Sequence, residues 1–197
     1  MSKPHKSFGQ KPNSRGFGPK TGDPFFRVQP VLPPGYLAPY VRTLPQVIEA
    51  LLDLGQVGSG DRLYDLGCGD GRIPLAAARR GAQSVGVDVD PERIREARAR
   101  AEELRLTDQV TFEIQDLLTT DLSTATVVTA YLLPAAHLKL RHKLQTELKP
   151  GSRVLTHSFD MGDWLPTQTA EVSDVINRYS LYLWVVGDRD PLVTDET

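Results

Sequence analysis

The chain has 197 residues, 40% of them hydrophobic and 24% charged, with a formal net charge of −2. That length suits one domain with a sizeable core, and no apolar run approaches the roughly 18 residues of a membrane helix. The single cysteine, Cys68, excludes an internal disulfide and lends no support to a metal cluster.

Residues 1–35 are rich in Gly, Pro, Ser and Lys and show no periodicity, so a flexible basic arm is expected there, followed by one domain over 36–197. The arm's first part holds Lys3, Lys6, Lys11, Arg15 and Lys20 with no acid before Asp23. Those five positive charges leave −7 on the rest of the chain. An acidic body with a basic tail is a poor match to a domain that binds nucleic acid across its surface. The first residues also lack the apolar core of a secretory signal, so a cytoplasmic location is expected. The less polar stretch from Val31 to Tyr40 is expected to lie extended over the domain.

The first helix is predicted from Thr43 to Leu54. Thr43 and Gln46 have the spacing of a capping box, Val47, Ile48, Leu51 and Leu52 share one face, and Gly55 is placed to stop it. A strand follows from Leu63 to Leu66, then a glycine-rich turn, then a helix from Ile73 to Arg80 in which Pro74 is tolerable because first-turn N–H groups have no intrahelical partner. A second strand, Ser84 to Val87, ends in Asp88. Asp90 and Pro91 are a good N-cap and first residue for a helix reaching about Leu106, with Ile94, Ala97, Ala101 and Leu104 inward and a solvated charged face outward. Gln109 to Gln115 alternates as a third strand through Val110, Phe112 and Ile114, ending in Asp116 and Leu117. The apolar, β-branched run Ala125 to Leu132 fits a central parallel strand covered on both faces. Pro134 to Leu148 reads as a helix with Leu140, Leu144 and Leu148 in line, and Arg153 to Phe159 as a fifth strand. Two last strands, Thr167 to Ser173 and Ser180 to Val186, are close enough for an antiparallel hairpin. The alternation implies an α/β fold: a doubly wound, mostly parallel sheet with an antiparallel C-terminal hairpin. Ligands of such sheets bind outside the carboxyl ends of the strands, at the switch point.

The turn Gly67-Cys68-Gly69-Asp70-Gly71 lies at such an end. Three alternate glycines free the backbone to take positive φ and to lie against a ligand, and the following helix N-terminus favours a negative group. Two cofactor classes use such a turn. Dinucleotide enzymes read G-x-G-x-x-G, whereas here Arg72 stands where the last small residue would fall. The form Asp65-Leu66-Gly67-Cys68-Gly69-Asp70-Gly71 resembles motif I of the class I, seven-strand S-adenosylmethionine (AdoMet) methyltransferases. AdoMet needs backbone groups for its amino-acid end, which Gly67, Cys68 and Gly69 can approach. It needs a bidentate acceptor for its ribose diol, which Asp88 fits. It needs an acceptor and apolar walls for adenine, which Asp116, Leu117 and Val89 can supply. Acids ending three successive apolar strands are hard to explain by packing, because carboxylates are seldom buried unpaired.

The resemblance extends over about residues 36–187. More narrowly, Ala38 to Thr43, Asp65 to Ile73, Ala130 to Leu133 and Thr156 to Phe159 look similar to small bacterial relatives of the ATP synthase c-subunit lysine N-methyltransferases. Arg42 stands where those relatives typically carry Pro. The resemblance implies AdoMet as cofactor, a Rossmann-like methyltransferase fold and a protein lysine as acceptor. A small molecule or RNA as acceptor is the alternative, as is a nucleotide-binding module without methyl transfer. Tyr131 and Tyr40 are candidates to line the methyl pocket. His157 is either a base or a satisfied core histidine, and Asp160 and Trp164 either wall the acceptor site or pack their own loop. No Asn/Asp-Pro-Pro-Tyr follows the fourth strand, no His stands with an acidic pair at metal-ligand spacing, and Cys68 belongs to the turn. These absences speak against methylation of planar amide or adenine nitrogens, metal-dependent O-methylation and cytosine C5 chemistry.

Overall fold

A computed structural model describes residues 32–187 of the chain. The arm expected over 1–35 lies, apart from its last residues, outside that range.

Among the described residues eleven elements follow in the expected alternation: α1 (Pro45–Leu54), β1 (Arg62–Leu66), α2 (Arg72–Arg79), β2 (Gln83–Asp88), α3 (Pro91–Glu103), β3 (Val110–Ile114), β4 (Val127–Ala130), α4 (Pro134–Glu147), β5 (Arg153–His157), β6 (Gln168–Ser173) and β7 (Arg178–Val185). The strands form one sheet in the order β3-β2-β1-β4-β5-β7-β6. The ladders among β1 to β5 are parallel, and β7 runs against both β5 and β6. The doubly wound sheet and its terminal hairpin are therefore as the sequence implied. The strand order reverses between β1 and β4, which places the switch-point crevice at their carboxyl ends.

Helices cover both faces. On one, Val47, Ile48, Leu51 and Leu52 of α1 and Ile73 and Ala77 of α2 pack on Val127, Leu155 and Leu181, while Ile94, Ala97 and Ala101 of α3 pack on Val110 and Phe112. On the other, Leu140 and Leu144 of α4 pack on Val128, Ala130, Val154 and Trp184. Each buried leucine of this kind contributes about 1.5–3 kcal/mol. β4 is buried at every position, as a central parallel strand must be.

Several local expectations are corrected. Thr43 forms no capping box: α1 starts on Pro45 after Leu44, without a side-chain cap, and the Thr43 carbonyl instead accepts from Arg72. Gly55 stops α1 with an ordinary φ of −80°, and Gln56 takes the left-handed turn at φ 50°. A Cβ on Gly55 would lie 2.5 Å from Leu155, so the glycine serves close packing of the helix end on β5. Asp90 does cap α3, its carboxylate accepting from the N–H groups of Glu92 and Arg93. That helix ends at Glu103, however, leaving Leu104 exposed, and the β3 alternation fails at Ile114, which is 55% exposed. Nor is the charged face of α3 only solvated. Arg98 donates to the Phe112 carbonyl at 2.6 Å, Arg100 to the Asp70 carboxylate at 2.5 Å, and Arg93 stacks on the Tyr40 ring at 4.0 Å.

Candidate functional site

β1 delivers the chain into the glycine turn at the switch point. Gly67 and Gly69 take φ values of 83° and 52°, and the N–H groups of Gly67 and Cys68 both donate to the Val87 carbonyl at 2.9 Å, fastening the turn to the end of β2. A Cβ on Gly67 would lie 2.9 Å from Leu132, and one on Gly69 would lie 2.6 Å from the Tyr40 ring. Leu132 and the Tyr40 ring thus already occupy the space a side chain would need, so the turn lies against the cleft wall only as glycine. Gly71 differs. It is the left-handed N-cap of α2, and a Cβ there would strike Phe112 at 2.5 Å, behind the cleft.

The acids fall into distinct environments. Asp65 is buried, accepts from the Thr129 hydroxyl at 2.7 Å and lines the cleft. Burial raises its carboxyl to about 7, reinforced by the charges of Asp88 and Asp70 and only partly offset by the Thr129 hydrogen bond. Asp88, at the tip of β2, accepts from the Gly69 N–H at 2.9 Å and from the Asp90 N–H at 3.0 Å, one bond on each oxygen. Its orientation is fixed while each oxygen keeps further acceptor capacity. Asp116 is exposed at the tip of β3, where one oxygen accepts from the Leu118 N–H at 2.9 Å. Asp70 is fully buried and clamped: Arg72 donates to both its oxygens, at 2.9 and 2.6 Å, and Arg100 adds a third bond. Burial alone would raise its carboxyl, but hydrogen bonds from Arg72, Tyr40 and Arg100 outweigh that and hold it well below the usual range. Burial, with Asp65 and Asp88 beside it, pushes the Cys68 thiol up, so it is no nucleophile.

One cleft collects nearly every residue the sequence singled out. Asp65, Gly67, Cys68, Gly69 and Asp70 line it from β1 and the turn, Asp88 and Val89 from the end of β2, Asp116 and Leu117 from the loop after β3, and Tyr131 from just after β4. Tyr40 closes it from the N-terminal side, between Gly69 and Arg93. Gly71 stays outside. The Asp160 carboxylate is occupied within its own loop, accepting from Gly162, whereas Trp164 is tied to β7, its carbonyl accepting from the Trp184 indole at 2.7 Å. His157 is not the satisfied core histidine expected as one option. It is buried behind Tyr131 with neither ring nitrogen hydrogen-bonded.

Gly35 to Val41 form a strap along the cleft, anchored by Leu37 and Ala38 on the core, and the less polar stretch lies over the domain as expected. Sequence reasoning missed two other contributors. The arginines that hold Asp70 come from α2 and α3 and are indistinguishable in sequence from surface charges. His137 is fully buried on α4, where it lies 3.3 Å from both the Leu132 N–H and the Asp160 carbonyl, tying the loop after β4 to the loop after β5. Burial lowers its imidazole to about 4, against an opposing pull from Asp160, so it stays neutral. Among the described residues no group of three or more His, Cys, Asp or Glu could hold a metal ion.

The arrangement can take a ligand with a diol near Asp88, a cationic group near Asp65 and an uncharged face against Tyr131. The chain is similar to known methyltransferases. The ANTKMT methyltransferase domain matches residues 65–168. A protein-lysine N-methyltransferase of Saccharolobus islandicus is 40% identical over 152 residues, spanning 76% of this chain and 94% of the relative. The ATP synthase c-subunit lysine N-methyltransferase of Xenopus laevis is 31% identical over 144 residues, 73% of this chain and 63% of that protein. The crystal structure of an RNA methyltransferase from Salinibacter ruber in complex with S-adenosyl-L-homocysteine superposes with a TM-score of 0.72 at 43% identity, covering 79% of this chain and all of that one.

Proposed function

This chain belongs to the family of ANTKMT methyltransferase domains, and from that premise we propose that it transfers a methyl group from AdoMet to a protein lysine amine, with the cleft at the β1–β4 switch point as the active site. The observation that carries this reading is the convergence of the glycine turn, Asp65 and Asp88 on one cleft whose far wall is Tyr131. When bound there, AdoMet supplies a methyl group already activated on a sulfonium.

The protein's own part is mainly placement. Gly67, Cys68 and Gly69 bring backbone to the amino-acid end, with Asp65 as the buried counter-charge for its ammonium. Asp88, pre-aligned by Gly69 and Asp90, accepts from the ribose hydroxyls. Asp116, Leu117 and Val89 receive the adenine. Aligning nucleophile, carbon and sulfur in this way can supply about 7–11 kcal/mol of the barrier. A lysine near pKa 10.4 must lose its proton first, which desolvation on approach to the cleft favours. The lysine reading is supported by the lysine N-methyltransferases among the relatives. A reducing cytoplasm suits the lone buried Cys68, and among the described residues no helix is long and apolar enough to cross a membrane.

Incubating the full chain with tritiated AdoMet and fractionated lysate tests the proposal. Label is expected in protein, released as methyl-lysine on acid hydrolysis. RNA is the second reading, favoured by the RNA methyltransferase named for the Salinibacter structure. Label in the RNA fraction, lost on deleting residues 1–30, would replace the lysine proposal with it.

A further inference from the structure

The acceptor side of the cleft holds a buried polar group that the reading above leaves unused. His157 closes β5, where it pairs in register with Leu181 of β7, and the adjoining Ala130–Thr156 pair brings Tyr131 alongside it. The imidazole lies 4.0 Å from the Tyr131 ring and 5.5 Å from the Tyr179 ring, centroid to centroid, and the Phe159 ring lies 6.4 Å beyond Tyr131. Tyr131, Phe159 and Tyr179 are half-exposed, while His157 beneath them is only 2% exposed. Neither of its nitrogens has a hydrogen-bond partner. Leaving a buried polar group unmet costs about 1–3 kcal/mol, and a phenyl ring would fill the same space without that cost. Such an orphan calls for a partner the protein does not itself provide.

Resting on the lysine reading, we propose that Tyr131, Phe159 and Tyr179 form the subsite that receives an alkylamine side chain, with His157 accepting a hydrogen bond from its nitrogen. Aromatic faces attract an ammonium. The Tyr179 hydroxyl donates to the Asp174 carboxylate at 3.0 Å, which sets a negative charge at the rim. An anionic acceptor would be repelled there. The titratable groups that face His157 are Tyr131, just after β4, and Tyr179 from β7, and burial alone lowers the imidazole to about 4, so it is neutral and able to accept at neutral pH. Because Tyr131 also lines the cofactor cleft, a nitrogen held on this side faces the methyl donor.

The test uses the full chain with ring-15N-labelled histidine and saturating S-adenosylhomocysteine. Adding Nα-acetyl-lysine methylamide should shift the His157 ring nitrogens, whereas the norleucine analogue, which lacks the amine, should not. In parallel, His157→Phe should keep AdoMet affinity within twofold and lower kcat/KM for the labelled protein substrate at least tenfold, with His157→Gln recovering part of the loss. A His157 signal blind to the lysine probe, equal shifts with both probes, or unchanged kcat/KM in His157→Phe would each overturn the proposal. Methyl-lysine formation by the wild-type chain decides the underlying reading separately, and the ring-nitrogen response decides this one.

Discussion

Asp65→Asn tests the electrostatics of the site most directly. The substitution keeps the shape and an oxygen for the Thr129 hydroxyl, and removes only the charge. The folded state holds the Asp65 proton up to about pH 7, the unfolded chain only to 3.8. At 1.36 kcal/mol per pH unit this is worth about 4 kcal/mol. The sign is set by burial: the contribution is whole below pH 3.8 and is lost as pH rises through 7. Asparagine carries no such dependence. The stability of Asp65→Asn relative to wild type should therefore climb with pH, with about 2–3 kcal/mol of the change falling between pH 5 and pH 8. Urea unfolding of both proteins without cofactor, at half-unit pH steps, measures it. The same variant should bind AdoMet more weakly than wild type at pH 8, because the ammonium loses its counter-charge. A stability difference that stays flat across pH 5–8, or one that favours wild type increasingly at high pH, would refute the argument.

Asp70→Asn strips two arginines of their buried partner and should cost about 2–3 kcal/mol in urea unfolding, discounted from the figure for a fully buried pair because both guanidiniums keep some solvent. Asp88→Ala removes the acceptor at the β2 tip and releases the Gly69 N–H, and Gly69→Val drives a branched side chain into the Tyr40 ring; each should abolish AdoMet binding by isothermal titration while leaving a cooperative thermal transition. Tyr131→Phe keeps the ring and its stack on His157 and should hold AdoMet affinity within about twofold, since 1.4 kcal/mol would already be tenfold, while changing turnover. Parallel loss of affinity and turnover would move Tyr131 into the cofactor's own contacts.

Why was one half of the site legible in sequence and the other not? The cofactor half follows from local rules. A glycine turn after an apolar strand must bend sharply, and an acid at the tip of a buried strand must either find a partner or face an opening, so Asp65, Asp88 and the turn could be placed before the fold was known. The helix and strand alternation was legible for the same reason: apolar faces repeat at fixed periods. What failed depended on contacts remote along the chain. Gly55 is a glycine because of Leu155, 100 residues on. Arg100 is an inward group because Asp70 lies under it. The orphaned state of His157 depends on β4, β5 and β7 meeting, and no pattern within Arg153 to Phe159 separates it from an ordinary buried histidine.

The distribution of charge around the cleft supplies the last step. A methyl transfer from a sulfonium to a neutral amine takes in a cationic donor and leaves positive charge on the nitrogen, so fixed cations nearby would oppose it. Arg72 and Arg100 border the turn, yet both are committed to the Asp70 carboxylate, and Arg93 is committed to Glu96 and the Tyr40 ring. The two buried imidazoles nearest the β4 tip, His137 and His157, are both held neutral by burial. Asp65 and Asp88, by contrast, face the cleft with acceptor capacity to spare. On the proposed reading, the surroundings are thus negative where the cofactor's ammonium and hydroxyls would be held, and neutral and aromatic where the nitrogen would approach. A site built for phosphoryl chemistry would need the opposite arrangement, with these arginines released toward the ligand. The clamp on Asp70 therefore does more than stabilise the turn: it engages both guanidiniums, so that neither is directed at a cationic donor.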